Sequence, residues 1–396
     1  MTSGFEATAW AWVDHLRHGG SIPWLDWVAR SDPDDGGSGG AAQAVGATLP
    51  GAGELEYVRR LAARSRLTPD AFRALADLVL ARSGPGRGLA QLPLVWPAVP
   101  AVRRVGAPPT DPARVPADEL VRIGVGTLAD QLLRTDPGPA RRRRPRRHPW
   151  TTQFRLAGAP VTGDAVRAWL RGGGLVEGGR SPDVLVFAEP LDVLLAQVWS
   201  ARVQRGAPVR WDTFVGRWAR RGELPPAARL PETAARWAAR VGPERVHLVV
   251  APSGPDAARR TASAVLDARG HDGARSLQDL SPTAVDLLRR LNRVTNVRVP
   301  LDRRRPLLRR AAALVAHHDS APLAVPEPHR GWAEQTAAGI AERLRAGRYS
   351  VHGDLEEIAL RHRAGPSRPR HRDVLDLVLD ACLTLAEPVP SRREAR

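Results

Sequence analysis

The chain of 396 residues contains no lysine, and this absence limits the chemistry that it can perform. Without a lysine ammonium it can offer no Schiff-base nucleophile, no lysine general base and no P-loop lysine for a nucleotide phosphate. The single cysteine, Cys382, excludes a disulfide within the chain and a cysteine-based metal site. Because Cys382 lies in the apolar run 378–386, we expect it to be a small buried hydrophobe.

Long apolar runs are also absent, since none approaches the roughly 20 residues that span a bilayer. The first residues, MTSGFEATAWAW, lack the basic start and apolar core of a signal peptide. The sequence therefore predicts a cytoplasmic protein with no membrane segment. It also has no His-Glu-x-x-His motif, and its one Gly-x-Ser-x-Gly spacing, GGSGG at 36–40, lies in a Gly-rich stretch that predicts a loop and not a strand-to-helix elbow, so nothing supports a serine hydrolase or a zinc protease.

Arginine is abundant, and the formal net charge is +17. Such a charge is compatible with binding to nucleic acid or acidic lipid. Arg, Ala, Gly and Pro are all frequent, however, as in GC-rich coding, so the charge alone does not predict a polyanion partner. The densest run, Arg141 to Arg147 (RRRRPRR), has two interpretations. It is either a weak, salt-sensitive polyanion site or, as we favour, a solvated linker.

The hydrophobic pattern divides the chain into four parts. Residues 1–134 show only helical periodicity, with a Trp-rich entry at 5–28 and a helix start at Thr68 and Pro69. The other parts are an Arg/Pro-rich linker (135–150), an α/β domain (151–360), and a C-terminal linker with a closing helix (361–396). The predicted fold class is α/β, a parallel sheet with flanking helices, preceded by a small all-helical N-terminal domain.

Two short apolar runs predict the centre of the sheet. Residues 184–188 (VLVFA) and 246–251 (VHLVVA) are typical of parallel strands that are buried on both faces. Helical patterns separate them, so we expect right-handed crossovers and a ligand site at the carboxyl edge. Gly158, Glu189 and Pro252 would all lie along that edge.

The stretch 153–169 (QFRLAGAPVTGDAVRAW) predicts a strand, a Gly-bearing turn and the first turn of a helix. This geometry would aim free backbone N–H groups and the positive end of a helix dipole at one point. Gly158 and Gly163 match the first part of a P-loop, but the Lys and Ser or Thr that should follow are Asp164 and Ala165. Two interpretations stay open: a plain strand-to-helix turn, or a phosphate loop that has lost its cation and hydroxyl.

The order of these pieces resembles that of bacterial PAPS-dependent sulfotransferases, in particular the divergent sulfotransferase-like proteins of actinobacteria. The segments that carry the resemblance span about 154–358 and include VLVFAEPLDVLLAQVWSARV, WDTFVGRWA and the closing YSVHGDL. The family loop G-x-P-K-T-G-T-T is matched here at Gly158, Pro160, Thr162 and Gly163. The resemblance implies a sulfotransferase-like P-loop fold with a site for PAPS, or for its product 3′,5′-ADP, at this loop.

The chain departs from the family pattern at the charged positions. The loop Lys is Val161, the hydroxyl residues are Asp164 and Ala165, and the Arg for the 3′-phosphate is Glu189. The Ser expected two helical turns later falls near Gln197, which could donate a hydrogen bond. If a nucleotide binds, the resemblance implies that it contacts the matched or replaced positions Gly158, Pro160, Thr162, Gly163, Asp164, Glu189 and Gln197. An acid about 5 Å from a phosphate charge costs on the order of 3 kcal/mol at an effective dielectric of about 20.

We therefore expect a non-catalytic sulfotransferase-like protein that acts as a partner or scaffold and holds no cofactor. One alternative is an active PAPS-dependent enzyme that uses Arg in place of the loop Lys. A second alternative is polyanion or nucleic-acid binding through Arg141 to Arg147. No catalytic base is assigned, and Glu177 is expected to be solvated. The sequence His-His-Asp at 317–319 has no spaced partner for a metal site, so we expect it to be structural. His352 with Asp354, Glu356 and Glu357 is a second possible cluster, and the resemblance implies that it is a structural close of the fold.

Overall fold

The protein is represented by a computed structural model, which describes residues 2–31, 49–82, 94–95, 109–134, 154–250, 254–362 and 364–387. The α-helices in these ranges are α1 (Thr2–Arg17), α2 (Trp24–Arg30), α3 (Ala52–Arg64), α4 (Pro69–Leu80), α5 (Ala117–Arg134), α6 (Pro160–Gly172), α7 (Leu191–Gln204), α8 (Trp211–Ala219), α9 (Leu230–Val241), α10 (Pro255–Leu266), α11 (Pro282–Arg298), α12 (Leu301–Leu314), α13 (Arg330–Ala346) and α14 (His371–Ala386). The strands are β1 (Phe154–Gly158), β2 (Asp183–Ala188), β3 (Val246–Val250) and β4 (Ser350–His352).

The chain forms two compact units. The first contains residues 1–136 and 370–396, and the second contains residues 137–369. The closing helix α14 thus belongs to the same unit as α1–α5, and it packs against α5. The predicted linker Arg141 to Arg147 and the predicted edge residue Pro252 lie outside the described residues.

In its described ranges, the first unit is built mainly from helices whose apolar faces meet in a common core. Helix α4 begins where the sequence predicts, because Thr68 Oγ1 accepts a hydrogen bond from Ala71 N at 3.4 Å and Pro69 is the first helical residue. Trp12 and Trp24 of the Trp-rich entry are buried. Their indole N–H groups donate to backbone carbonyls, so these rings are part of the core.

A glycine permits the close approach of α5 to its neighbours. A Cβ at Gly124 would lie 2.6 Å from Tyr57 Oη and 2.8 Å from Val378 Cγ1. Cys382 on α14 is fully buried, as predicted, and the Tyr57 hydroxyl donates to its sulfur at 3.6 Å. Burial raises the pKa of the Cys382 thiol to about 12, so this thiol is unreactive in the folded protein.

The second unit contains a four-stranded parallel sheet with the order β1-β2-β3-β4. Strands β2 and β3 match the predicted apolar runs to within one residue, and the mixed α/β architecture with flanking helices is confirmed. The register pairs Gly158 with Phe187 and Ala188 with Val250. The carboxyl ends of β1, β2 and β3 therefore meet at one edge of the sheet.

The helices of this unit surround the sheet in packed groups. Helices α6, α9 and α10 contact the strands, α6 also packs against α10, and α9 packs against α13. Helix α7 contacts α6, α11 and α12, and α11 also packs against α12. No helix in the described ranges is long and apolar enough to cross a membrane.

Candidate functional site

The turn between β1 and α6 is much tighter than a phosphate loop. Only Ala159 separates the strand from the helix, which begins at Pro160. Gly158 has φ +86°, and a Cβ there would lie 2.2 Å from Phe187 O, so the turn requires glycine. Gly163 N donates to Ala159 O at 2.8 Å within the first helical turn. Gly163 thus lies inside the helix and does not close a loop, which corrects the expected extent of the turn.

The backbone donors at the start of α6 are occupied by the protein itself. Gln197 Oε1 accepts hydrogen bonds from Val161 N at 3.1 Å and from Thr162 N at 3.2 Å. Ala159 N donates to Phe187 O, and proline has no N–H at position 160. The free anion cradle that the sequence predicts is therefore closed, because an amide oxygen from α7 caps the helix.

Glu189 follows β2 directly and lies beside this cap. Its Oε1 accepts from Thr162 Oγ1 at 2.8 Å and from Gln197 Nε2 at 3.5 Å, and the residue is only 5% exposed. Burial raises the pKa of Glu189, while the hydrogen bond from Thr162 and the positive charge of Arg361 oppose this rise. The structure thus brings Thr162, Glu189 and Gln197 together at the edge where the sequence places them.

Asp164 points elsewhere, which corrects the expectation that two acids face the phosphate positions. Its carboxylate accepts from Ser276 N at 2.7 Å, from Ser276 Oγ at 2.6 Å and from Leu277 N at 2.8 Å. Arg167 lies 3.5 Å from the same carboxylate. Asp164 therefore holds the segment between α10 and α11 against α6, and only Glu189 faces the helix cap.

A second aspartate, Asp192, also holds a distant segment in place through backbone hydrogen bonds, and the sequence analysis did not identify it. Asp192 in the first turn of α7 is fully buried and accepts from Arg361 N at 3.0 Å and His362 N at 2.7 Å. The sequence signal that could have identified Asp192 is an acid in the first turn of a helix that follows a buried strand. The consequence is that Asp164 and Asp192 each fix one segment at the carboxyl edge of the sheet.

Beside the helix cap lies a cavity of about 530 Å³, here named the Thr162 cavity. Its polar lining includes Thr162, Glu189, Gln197, Arg275, His318 and Arg361. Sequence reasoning did not select Arg275 or Arg361, which the two aspartate-held segments bring to the cavity. His318 Nδ1 lies 3.1 Å from Ser281 Oγ, and this hydroxyl also caps α11 by accepting from Ala284 N at 3.5 Å.

The histidine-containing groups have structural partners. His352 Nε2 lies 3.3 Å from His247 Nδ1, and Asp354 accepts from Glu356 N at 2.9 Å at the start of a short 3-10 turn. Burial and the neighbouring His352 lower the pKa of His247. Across the described ranges, no group of three His, Cys, Asp or Glu side chains could hold a metal ion.

The Thr162 cavity has polar lining groups that are already bonded within the protein. Its helix N-terminus is capped, the resembling loop carries Val161 where a cation would stand, and the carboxyl of Glu189 bonds to the only hydroxyl in the first turn of α6. The Ser281 hydroxyl near His318 serves as a helix cap, so its position is fixed by the backbone of α11. No family model, curated protein or solved structure matches the chain.

Proposed function

We propose that the α/β unit is a sulfotransferase-like protein with a closed nucleotide cradle, which acts as a partner or scaffold and does not transfer sulfate. The observation that supports this proposal is the position of Gln197 Oε1 on the N–H groups of Val161 and Thr162. In a phosphate site those two groups would bind the anion. Here a neutral amide oxygen satisfies them without any ligand.

Two costs oppose a nucleotide phosphate at this position. The phosphate must displace Gln197, which breaks two hydrogen bonds worth roughly 1 kcal/mol each. It must also approach Glu189, and an ionised carboxylate about 5 Å away costs on the order of 3 kcal/mol. Together these costs weaken binding by more than about a thousandfold, which would move a micromolar site into the millimolar range.

The experiment is to incubate the full chain with PAPS and a panel of hydroxyl and phenol acceptors and to measure release of 3′,5′-ADP. We expect no release above the rate without protein. Saturable release by the native chain would contradict the proposal. A sulfated product that forms only with the native protein would identify the acceptor class at the same time.

The main alternative is an active PAPS-dependent sulfotransferase in which arginine replaces the missing Lys. It is favoured by Arg275 and Arg361, whose side chains line the same cavity as Thr162 and Glu189. Under this alternative, release of 3′,5′-ADP is saturable and is lost in Arg275→Gln or Arg361→Gln. Polyanion binding through Arg141 to Arg147 stays a separate prediction, because that run lies outside the described residues.

A further inference from the structure

A second cavity, of about 420 Å³, lies on the other side of the first turns of α6. Five arginine side chains line it, and we name it the arginine cavity: Arg167, Arg171, Arg205, Arg305 and Arg309. The remaining lining comes from the end of β1, the start of α6 and the segment held by Asp164. The Thr162 cavity is lined by residues 161, 162 and 165 of α6. The arginine cavity is lined by residues 160, 163, 164, 167 and 171 of the same helix. Helix α6 therefore separates the two cavities.

The positive charge of the arginine cavity is poorly compensated. Arg167 is paired, with Glu177 at 3.1 Å and with Asp164 at 3.5 Å. Glu177, expected to be solvated, is therefore an anchor for Arg167. The other four arginines have no carboxylate within ion-pair distance in the part of the chain that the structure describes. Asp164 is the only acid among the described residues that line the cavity, and these residues together carry a net charge of about +4.

Helix geometry holds these guanidinium groups in one place. Arg167 and Arg171 are four residues apart on α6, and Arg305 and Arg309 are four residues apart on α12. Residues with this spacing lie on the same face of a helix. Helix α7 contacts both α6 and α12 and ends at its C-cap, Arg205. Three packed helices therefore direct their arginines to a single concavity.

The shape and lining of this cavity indicate a small ligand. Its volume falls in the range of about 300 to 1,000 Å³ that is typical of small-molecule sites. None of the described residues that line it is aromatic, so these residues offer no surface on which nucleobases could stack. Guanidinium groups bind phosphate through paired hydrogen bonds, and several of them around one concavity favour adjacent phosphates over a single charge.

From these observations we infer that the arginine cavity is a binding site for a compact small molecule with two or more adjacent phosphate groups, such as pyrophosphate or the polyphosphate part of a nucleotide. Arg167 is fixed by Glu177 and Asp164. The donors come from Arg171, Arg205, Arg305 and Arg309, for which the described ranges contain no paired carboxylate. The arginine cavity shares Gly158, Pro160, Gly163 and Asp164 with the predicted phosphate loop, but it does not include Val161 or Thr162, whose N–H groups Gln197 occupies. The inference does not depend on the proposed function.

The test uses the full chain and calorimetric titration with sodium pyrophosphate at low ionic strength. We expect saturable binding that weakens as salt is added, because these charges are exposed to screening. The variant Arg305→Gln/Arg309→Gln should raise the pyrophosphate Kd by at least about tenfold, since each lost charged hydrogen bond is worth about 1.5 kcal/mol or more. Both side chains are exposed, so we expect the variant to fold normally.

A matched control removes the same charge elsewhere on the unit. Arg217 on α8 and Arg236 on α9 are exposed and lie outside the cavity lining, so Arg217→Gln/Arg236→Gln should keep the native Kd. Inorganic phosphate should bind more weakly than pyrophosphate, and ADP should compete with pyrophosphate. The inference is overturned if native protein gives no binding heat, if both double variants lose affinity equally, or if Arg305→Gln/Arg309→Gln binds as the native chain does. Preferential binding of an RNA or DNA oligonucleotide over pyrophosphate would also overturn it.

Discussion

Replacement of Asp164 separates a structural role for this carboxylate from a role in repelling nucleotide. In the structure Oδ2 accepts from the N–H groups of Ser276 and Leu277, and Oδ1 accepts from the Ser276 hydroxyl. Asp164→Ala removes all of these bonds and leaves two backbone N–H groups without their acceptor. Hydrogen bonds to a charged group contribute about 1.5 to 3 kcal/mol each and are not additive, so we expect a loss of about 3 to 5 kcal/mol in the free energy of unfolding.

Two further replacements at this position sharpen the prediction. Asp164→Asn can keep its carbonyl oxygen in the place of Oδ2, and its NH₂ group can donate to a rotated Ser276 hydroxyl. We therefore expect it to cost only about 1 kcal/mol, from the lost negative charge. Asp164→Thr, which would restore the residue of the resembling family motif, is too short to span the same contacts and should behave like Asp164→Ala. Asp256 is an exposed aspartate of the same unit, and Asp256→Ala should change stability by less than about 0.5 kcal/mol.

The assay combines urea unfolding with hydrogen–deuterium exchange. Exchange should accelerate at Ser276 and Leu277 in Asp164→Ala and Asp164→Thr, and much less in Asp164→Asn. This local readout distinguishes release of the segment from general destabilisation of the unit. Unchanged exchange at both amides, together with a stability within about 0.5 kcal/mol of native for Asp164→Ala, would refute the structural assignment.

Three further predictions concern Glu54, Gly158 and Cys382. Burial raises the pKa of Glu54 from 4.5 to about 7, so the native state binds a proton more tightly than the unfolded chain and stability falls as pH rises between these values. Glu54→Gln should remove this pH dependence and, at pH 8, raise the free energy of unfolding by up to about 3 kcal/mol, as checked by urea titrations from pH 4 to 8. Gly158→Ala should destabilise the second unit by more than about 2 kcal/mol in thermal unfolding, because its Cβ would meet Phe187 O; a native-like melting temperature would show that the turn tolerates a side chain. Cys382 should react with an alkylating reagent at pH 8 only after unfolding, and rapid labelling of native protein would contradict the raised pKa of this thiol.

The sequence predicted the sheet better than it predicted the site. Continuous apolar runs are the expected signal of strands buried on both faces, and this signal located β2 and β3 to within one residue. The start of α4 was also predictable, because Thr68 and Pro69 act through local backbone geometry. Both kinds of signal depend on neighbours along the chain, which a sequence displays directly.

The errors at the site come from contacts between distant segments. The pattern Gly-x-x-x-x-Gly does not reveal that Gln197 caps the helix from α7, so the N–H groups were expected to be free. Asp164 was interpreted as a replaced phosphate ligand because the sequence does not reveal its hydrogen bonds to Ser276 and Leu277, which lie more than 100 residues away along the chain. The arginine pairs on α6 and α12 were visible as spacings, but only the packing of α7 against both helices shows that they share a cavity.

The central claim is that Gln197 and Glu189 close the nucleotide cradle. It is tested by calorimetric titration of 3′,5′-ADP into Arg305→Gln/Arg309→Gln protein, in which the arginine cavity is disabled. In this background we compare native cradle residues with Val161→Lys/Glu189→Arg, which supplies the cation and the guanidinium of the resembling motif and leaves Asp164 in place.

We expect no measurable binding with the native cradle. With Val161→Lys/Glu189→Arg we expect a nucleotide Kd at least about a hundredfold lower than any native value, since repulsion of a few kcal/mol is replaced by attraction. The variant Glu223→Arg/Val297→Lys, at an exposed acid and at an exposed apolar residue of α11 that both lie outside the two cavity linings, controls for added charge alone. Low-micromolar binding of 3′,5′-ADP by the native cradle would contradict the claim that the cradle is closed.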